Sequence, residues 1–218
     1  MDLASLREIQ ENLRGKVLIR PLDVEPKVVA GCDSSYSRKR GLIIAVFVLF
    51  TYPGLELLEV GKALRKVEFP YIPTYLSFRE LPALLEAYRD LRRKPDLILV
   101  DGQGIAHPRG LGLASHLGVL LDRPTVGVAK SPLFGEFKMP GLRRGEHTSI
   151  LDGDRVIGAV LRTRTGVKPL FVSPGHRVDV EDSIRYVLEL TRGYRLPEPI
   201  RSADRLSREI AKGGDIDV

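Results

Sequence analysis

The chain has 218 residues, 43% of them hydrophobic, enough to bury the core of one domain spanning 1–218. A formal charge of +6 and a pI near 9.5 lean towards a polyanionic partner. Cys32 is the only cysteine, which excludes an internal disulfide and a cysteine-based zinc site, and no apolar run is long enough to cross a bilayer, so a cytoplasmic protein without membrane contact is expected.

The first stretch, MDLASLREIQENLRGKV, is charged and helix-like, without the basic-then-apolar order of a secretory signal. Lys27 to Tyr36 (KVVAGCDSSY) reads as a short buried strand ending in polar residues. Gly41 to Thr51 (GLIIAVFVLFT) is almost continuously apolar and β-branched, as in a central strand. Residues 55–69 alternate and follow a Tyr52-Pro53-Gly54 turn, so the three strands should form an antiparallel meander. A helix is predicted from Tyr75 to Arg92, then a buried strand over Pro95 to Val100 that ends at Asp101. Leu111 to Leu121 is helix-like and Thr125 to Ala129 is another strand; this alternation implies parallel strands with right-handed crossovers. Further strands are predicted over 155–163 and 169–173, and helices over 179–191 and 199–212. The expected fold is α/β, a mixed sheet with helices on both faces.

Two carboxylates stand out because each follows an apolar strand. Asp33 comes after Val28-Val29-Ala30-Gly31-Cys32, and Asp101 after Leu97-Ile98-Leu99-Val100. Burying a charge is costly unless it is paired or bound to metal, and in open sheets the reactive crevice lies beyond the strand ends. If the two strands are neighbours, the carboxylates face one another. With no basic neighbour they would raise each other's pKa, a penalty that a divalent cation removes. All-oxygen ligands suit Mg²⁺, with Mn²⁺ as a substitute, better than zinc. Glu80, early in the next helix, can supply a third oxygen. Asp204, one turn into the last helix, is a fourth candidate, although in isolation it reads as a solvated helix position. The turn Gly102-Gln103-Gly104-Ile105-Ala106-His107 permits close approach of a ligand to the backbone. His116 reads as packing, His147 as part of a polar loop, and His176 as able to reach the crevice from a strand end.

Residues 70–73, Pro70-Tyr71-Ile72-Pro73, hold two large side chains between two proline rings, which makes a stiff apolar tip. Taken alone, the segment is more simply a turn packing Tyr71 and Ile72 into the core.

Five blocks in order, FPYIPTYLSFRE, VDGQGIAHPRGLGLASH, PTVGVAKSPLFG, FVSPGHRVD and YRLPEPIRSAD, resemble the endonuclease V family over about Ile9 to Ile210. The resemblance implies an RNase H-like fold and Mg²⁺- or Mn²⁺-dependent cleavage of the second phosphodiester bond 3′ to a deoxyinosine in DNA, with inosine-containing RNA as a further candidate substrate. It implies that Asp33 and Asp101 bind metal, that Glu80 and Asp204 complete the catalytic carboxylates, and that His107 and Lys130 lie beside the scissile phosphate. Tyr71, with Ile72 and Pro73, matches a wedge inserted into the duplex. The base pocket is then expected to use the backbone of Gly102 and Gly104, with Leu76 and Leu133 packed against the base. Many members have glycine where this chain has Thr74, directly after the wedge. Two rival readings are another RNase H-like nuclease, such as the nuclease portion of the UvrC excision subunit or an enzyme directed at inosine in RNA, and a non-catalytic DNA-binding protein on the same fold. Nothing in the sequence requires more than a monomer.

Overall fold

The computed structural model describes residues 2–213. Helix α1 (Leu3–Arg14) is followed by three long strands, β1 (Val28–Ser37), β2 (Leu42–Thr51) and β3 (Leu57–Lys66), paired antiparallel in the order β3-β2-β1. Next come α2 (Leu76–Asp90), β4 (Leu97–Asp101), α3 (Leu113–Leu121) and β5 (Thr125–Ala129), with β1, β4 and β5 parallel. This is the meander-then-crossover order expected of an RNase H-like sheet. Strands β6 (Glu136–Phe137), β7 (His147–Asp152), β8 (Arg155–Leu161) and β9 (Leu170–His176) extend it antiparallel beyond β5, giving the order β3-β2-β1-β4-β5-β9-β8-β7-β6. Helices α4 (Val180–Glu189) and α5 (Glu198–Ala211) close the chain. No helix among the described residues is long and apolar enough to cross a membrane.

Period-two alternation sorts the strand residues between two helical layers. Val29, Leu97, Leu99, Val126 and Val128 pack towards α4 and α5, with Tyr186, Ile200, Ala203 and Leu206. Ala30, Cys32, Ile98 and Val100 pack towards α2 and α3, with Leu81, Leu84, Leu113 and Leu117. The same parity decides which way the polar residues point further along each strand. Asp33 follows Val29 and Gly31, Asp101 follows Leu97 and Leu99, and Lys130 follows Val126 and Val128. All three therefore belong to the α5 side.

Gly31 sets how closely α5 can approach. A Cβ there would lie 2.1 Å from the carbonyl carbon of Pro199, so only glycine lets the start of α5 lie on β1. The chain differs from the sequence reading in several strand assignments, among them β6, which that reading does not predict. Asp33 does not end β1, which continues with β2 to Ser37, but β1 pairs with β4 through Cys32 and Val100, leaving Asp33 and Asp101 level. His147, assigned to a loop, begins β7, an edge-side strand whose residues are mostly exposed.

Candidate active site

Asp33, Asp101 and Asp204 each offer a carboxylate oxygen to a cluster whose atoms all lie within 4.8 Å of one another. β1 and β4 bring the first two together, and α5, seated on Gly31, swings Asp204 over them. Asp204 is thus not the solvated helix residue it reads as in isolation: its side chain is 18% exposed. The cluster also has the basic neighbour missing from the sequence reading. Lys130, just past β5, places Nζ 2.6 Å from Asp101 Oδ2 and 3.0 Å from Asp204 Oδ1. Arg208, one turn along α5, donates to Asp204 Oδ1 at 2.9 Å. Ser207 donates to Asp33 Oδ2 at 2.6 Å, and its Oγ lies 2.8 Å from that of Ser35. Sequence reasoning missed Ser207 and Arg208, although their spacing from Asp204, at i+3 and i+4, puts them on the same helix face.

Burial is the main cause of the raised Asp33 pKa, about 7, with Asp101 and Asp204 adding to it and Ser207 and Lys130 opposing it. Glu80 is raised further, to about 8, again first by burial and then by Asp33. It lies on α2, in the other helical layer, with Ser34 as its hydrogen-bonding neighbour rather than the three aspartates. Glu80 is therefore a flanking carboxylate and not a member of the cluster of three.

On the α2–α3 side is a cavity of about 100 Å³ lined by Tyr71, Thr74, Leu76, Ser77, Gln103, His107, Leu113 and Leu133, among others. Leu76 and Leu133 line it and Gly102 and Gly104 do not; Gln103 and Gly112 take that edge. The Gly104 N–H is bonded to Ser173 Oγ at 2.8 Å, so it is not free for a base, and its carbonyl accepts from Gly112 N–H at 2.9 Å. Gln103 is 9% exposed; its Nε2 donates to Ser131 O at 3.0 Å, while Oε1 is buried with no partner.

The rim of the cavity is the 70–74 segment. Tyr71 is 68% exposed, not packed into the core. Thr74 has φ +68°, a left-handed conformation that glycine adopts without penalty and a β-branched residue does not. Its carbonyl is gripped by three side chains: Gln10 Nε2 at 3.0 Å, His107 Nε2 at 3.0 Å and Arg109 Nη2 at 2.8 Å. Arg109 also donates to Thr74 Oγ1 at 2.6 Å and lies over the Tyr75 ring, 4.4 Å from its centroid. Thr74 thus contributes a bond of its own to the arginine.

His107, expected beside the scissile phosphate, is committed elsewhere. Its Nδ1 accepts from Arg109 N–H at 3.1 Å, which leaves the proton on Nε2 for Thr74 O. Burial lowers its pKa to about 4, so it is neutral. His176 does not reach the crevice: β9 runs antiparallel to β5, and its last residue pairs with Thr125 at the opposite end of the sheet. His116 is buried between Ser77, 3.0 Å from Nδ1, and the Phe78 ring.

Residues 11–205 match the family model described as Endonuclease V. An Endonuclease V of Geotalea uraniireducens (strain Rf4) is 48% identical over 211 residues, covering 97% of this chain and 89% of that protein. The crystal structure of the Endonuclease V from Streptomyces avermitilis is similar with a TM-score of 0.91 at 42% identity, covering 97% of this chain and 93% of that one. Endonuclease V from Ciona intestinalis, solved with a 24mer DNA containing an inosine followed by a ribo-adenosine, has a TM-score of 0.84 at 31% identity and covers 96% and 98% of the two chains.

Proposed function

Because the chain belongs to the endonuclease V family, we propose that it recognises deoxyinosine in DNA and hydrolyses the second phosphodiester bond 3′ to it, leaving 3′-hydroxyl and 5′-phosphate ends. It is a hydrolytic repair endonuclease. The observation that carries the substrate reading is a half-buried carboxylate cluster beside a cavity of about 100 Å³ whose rim bears an exposed aromatic. Extracting a base from a duplex requires a pocket for it and a filler for the gap it leaves, and Tyr71 on its proline-bounded tip suits the second task.

Asp33, Asp101 and Asp204 would hold a divalent cation, proposed to be Mg²⁺ with Mn²⁺ as a substitute; the donor set is all oxygen and already draws the Lys130 ammonium to within 2.6 Å. Such an ion supplies Lewis-acid charge to the phosphodiester and lowers the pKa of attacking water. The remaining roles belong to the protein. Ser207 fixes the orientation of Asp33, and Arg208 that of Asp204. Lys130, 37% exposed, can turn from the aspartates to a phosphate oxygen. Glu80, with its raised pKa, can hold a proton at the edge of the site near neutral pH. His107 positions the Thr74 carbonyl.

The base is read by Gln103. Its unpaired Oε1 is a buried acceptor, a state that ordinarily demands a partner. Hypoxanthine carries a hydrogen on N1, where adenine carries a lone pair, so this acceptor favours the deaminated base. The whole chain, 1–218, is proposed to act as one domain and as a monomer. A reducing cytoplasm suits the single buried thiol of Cys32. Inosine followed by ribose is a second substrate reading, favoured by the DNA–ribonucleotide strand bound to the Ciona relative.

A nicking assay on a labelled duplex with one deoxyinosine tests this reading. The parent should cut one nucleotide beyond the lesion only when Mg²⁺ is present, and Asp33→Ala should lose cleavage while still binding the duplex. Normal Mg²⁺-dependent cleavage by Asp33→Ala would sink the assignment.

A further inference from the structure

Among the clefts lined by described residues, one carries a single sign of charge. It is a groove of about 680 Å³ between the end of β1, the turn into β2 and the last turns of α5. Arg38, Lys39, Arg40, Arg208 and Lys212 line it together with Ser35 and Tyr36, and none of its described lining residues is acidic. The large cleft at the opposite end of the parallel strands is different. It sets Asp23, Glu25, Asp96 and Asp122 against Arg20, Lys27, Arg123 and Arg177, so its charges balance. Of these two clefts, the first suits a polyanion.

The groove also adjoins the carboxylate cluster. Arg208 lines it and is bonded to Asp204; Ser35 lines it and lies against Ser207, which is bonded to Asp33. The base-sized cavity lies in the α2–α3 layer, and the groove lies in the α5 layer beyond the aspartates. The three features therefore follow one another around the end of the sheet: cavity, carboxylates, groove.

We propose that this groove holds the phosphate backbone of the cleaved strand on the 3′ side of the cut. The inference rests on the deoxyinosine reading above. With the lesion in the cavity and the second 3′ phosphate at the carboxylates, the strand crosses from one helical layer to the other in the 5′→3′ direction. Continued in that direction, it enters the groove. The cations there release counterions from the backbone without reading sequence, which makes the contact salt-dependent and lesion-independent.

The test uses deoxyinosine duplexes with a long or short arm on either side of the lesion, bound in the presence of chelator, with the parent and an Arg38→Ala/Lys39→Ala variant. Both residues are exposed in the turn and lie outside the catalytic machinery. The parent should bind more tightly when either arm is lengthened. The variant should keep the gain from the 5′ arm, lose that from the 3′ arm, and show a salt slope smaller by about 2, roughly one per lost phosphate contact. Lys212→Glu, on the opposite wall, should reproduce the loss. A variant that keeps the 3′ gain, or loses the 5′ gain instead, overturns the proposal. A parent that does not nick deoxyinosine DNA at all overturns the nuclease reading on which it rests, and the two failures are told apart by that control.

Discussion

Single residues divide into those announced by their neighbours in sequence and those announced only by the fold. Asp33 and Asp101 are announced: a carboxylate directly after an apolar strand is conspicuous, and strand parity places both on one face. Asp204 is not, because its burial depends on α5 crossing β1 at Gly31, a contact between residues far apart in the chain. Gln103 lies in a loop already suspected of touching a ligand, but the glycines on either side drew attention to the backbone. Its side chain yields the sharpest residue-scale prediction. A deoxyinosine methylated at N1 has no hydrogen to offer Oε1 and should be cut roughly five- to 150-fold more slowly by the parent, since an unpaired buried acceptor costs about 1–3 kcal/mol. Gln103→Leu should cut deoxyinosine slowly and lose the discrimination between the two bases. Equal rates on both substrates with the parent protein would remove Gln103 from base reading.

At the scale of elements, the 70–74 tip is held from outside itself. Its prolines stiffen it, but its exit angle is set by Thr74 O, gripped from α1 by Gln10 and from the β4–α3 loop by His107 and Arg109. Local sequence shows the prolines and hides these clamps. The short strands β6 and β7 are hidden for a related reason, since their mostly exposed faces give little hydrophobic alternation to read. If the tip is the duplex wedge, Tyr71→Ala should cost about ten- to a hundred-fold on deoxyinosine in a paired duplex, the worth of roughly 1–3 kcal/mol of aromatic stacking. It should cost much less on single-stranded substrate, where no stack has to be held open. Arg109→Ala, which leaves Tyr71 in place but frees its hinge, should shift the duplex-to-single-strand ratio of cleavage rates in the same direction. An unchanged ratio together with a lowered Tm for Tyr71→Ala would make residues 70–73 a structural turn only.

For the molecule as a whole, the site sits where both helical layers meet one end of the sheet, and that placement costs stability. Asp33 and Glu80 have folded-state pKa values of about 7 and about 8, against ordinary values of 3.8 and 4.5. Between those limits the folded protein binds more protons than the unfolded chain, so the contribution of these groups to stability is present at the acid end and is lost as pH rises. In chelator, the parent's Tm should therefore fall relative to that of Asp33→Asn as pH rises through this window. Mg²⁺ should raise the parent's Tm most at the alkaline end and leave the variant's nearly unchanged. A Tm difference between the two proteins that is flat across the window would remove the strained-carboxylate account. The meander and the crossovers are readable from hydrophobic periodicity because burial on one or both faces dictates it, whereas the full order of the nine-stranded sheet is not. Nor does periodicity carry the last contact, the seating of α5 on β1. That seating bears on how a cell makes the protein. Asp33 and Asp101 leave the ribosome before Asp204, which is carried by α5, the last described element of the chain. The three carboxylates therefore assemble only once α5 has been made and has docked on β1, and a chain stalled before α5 has no complete site with which to cut nucleic acid.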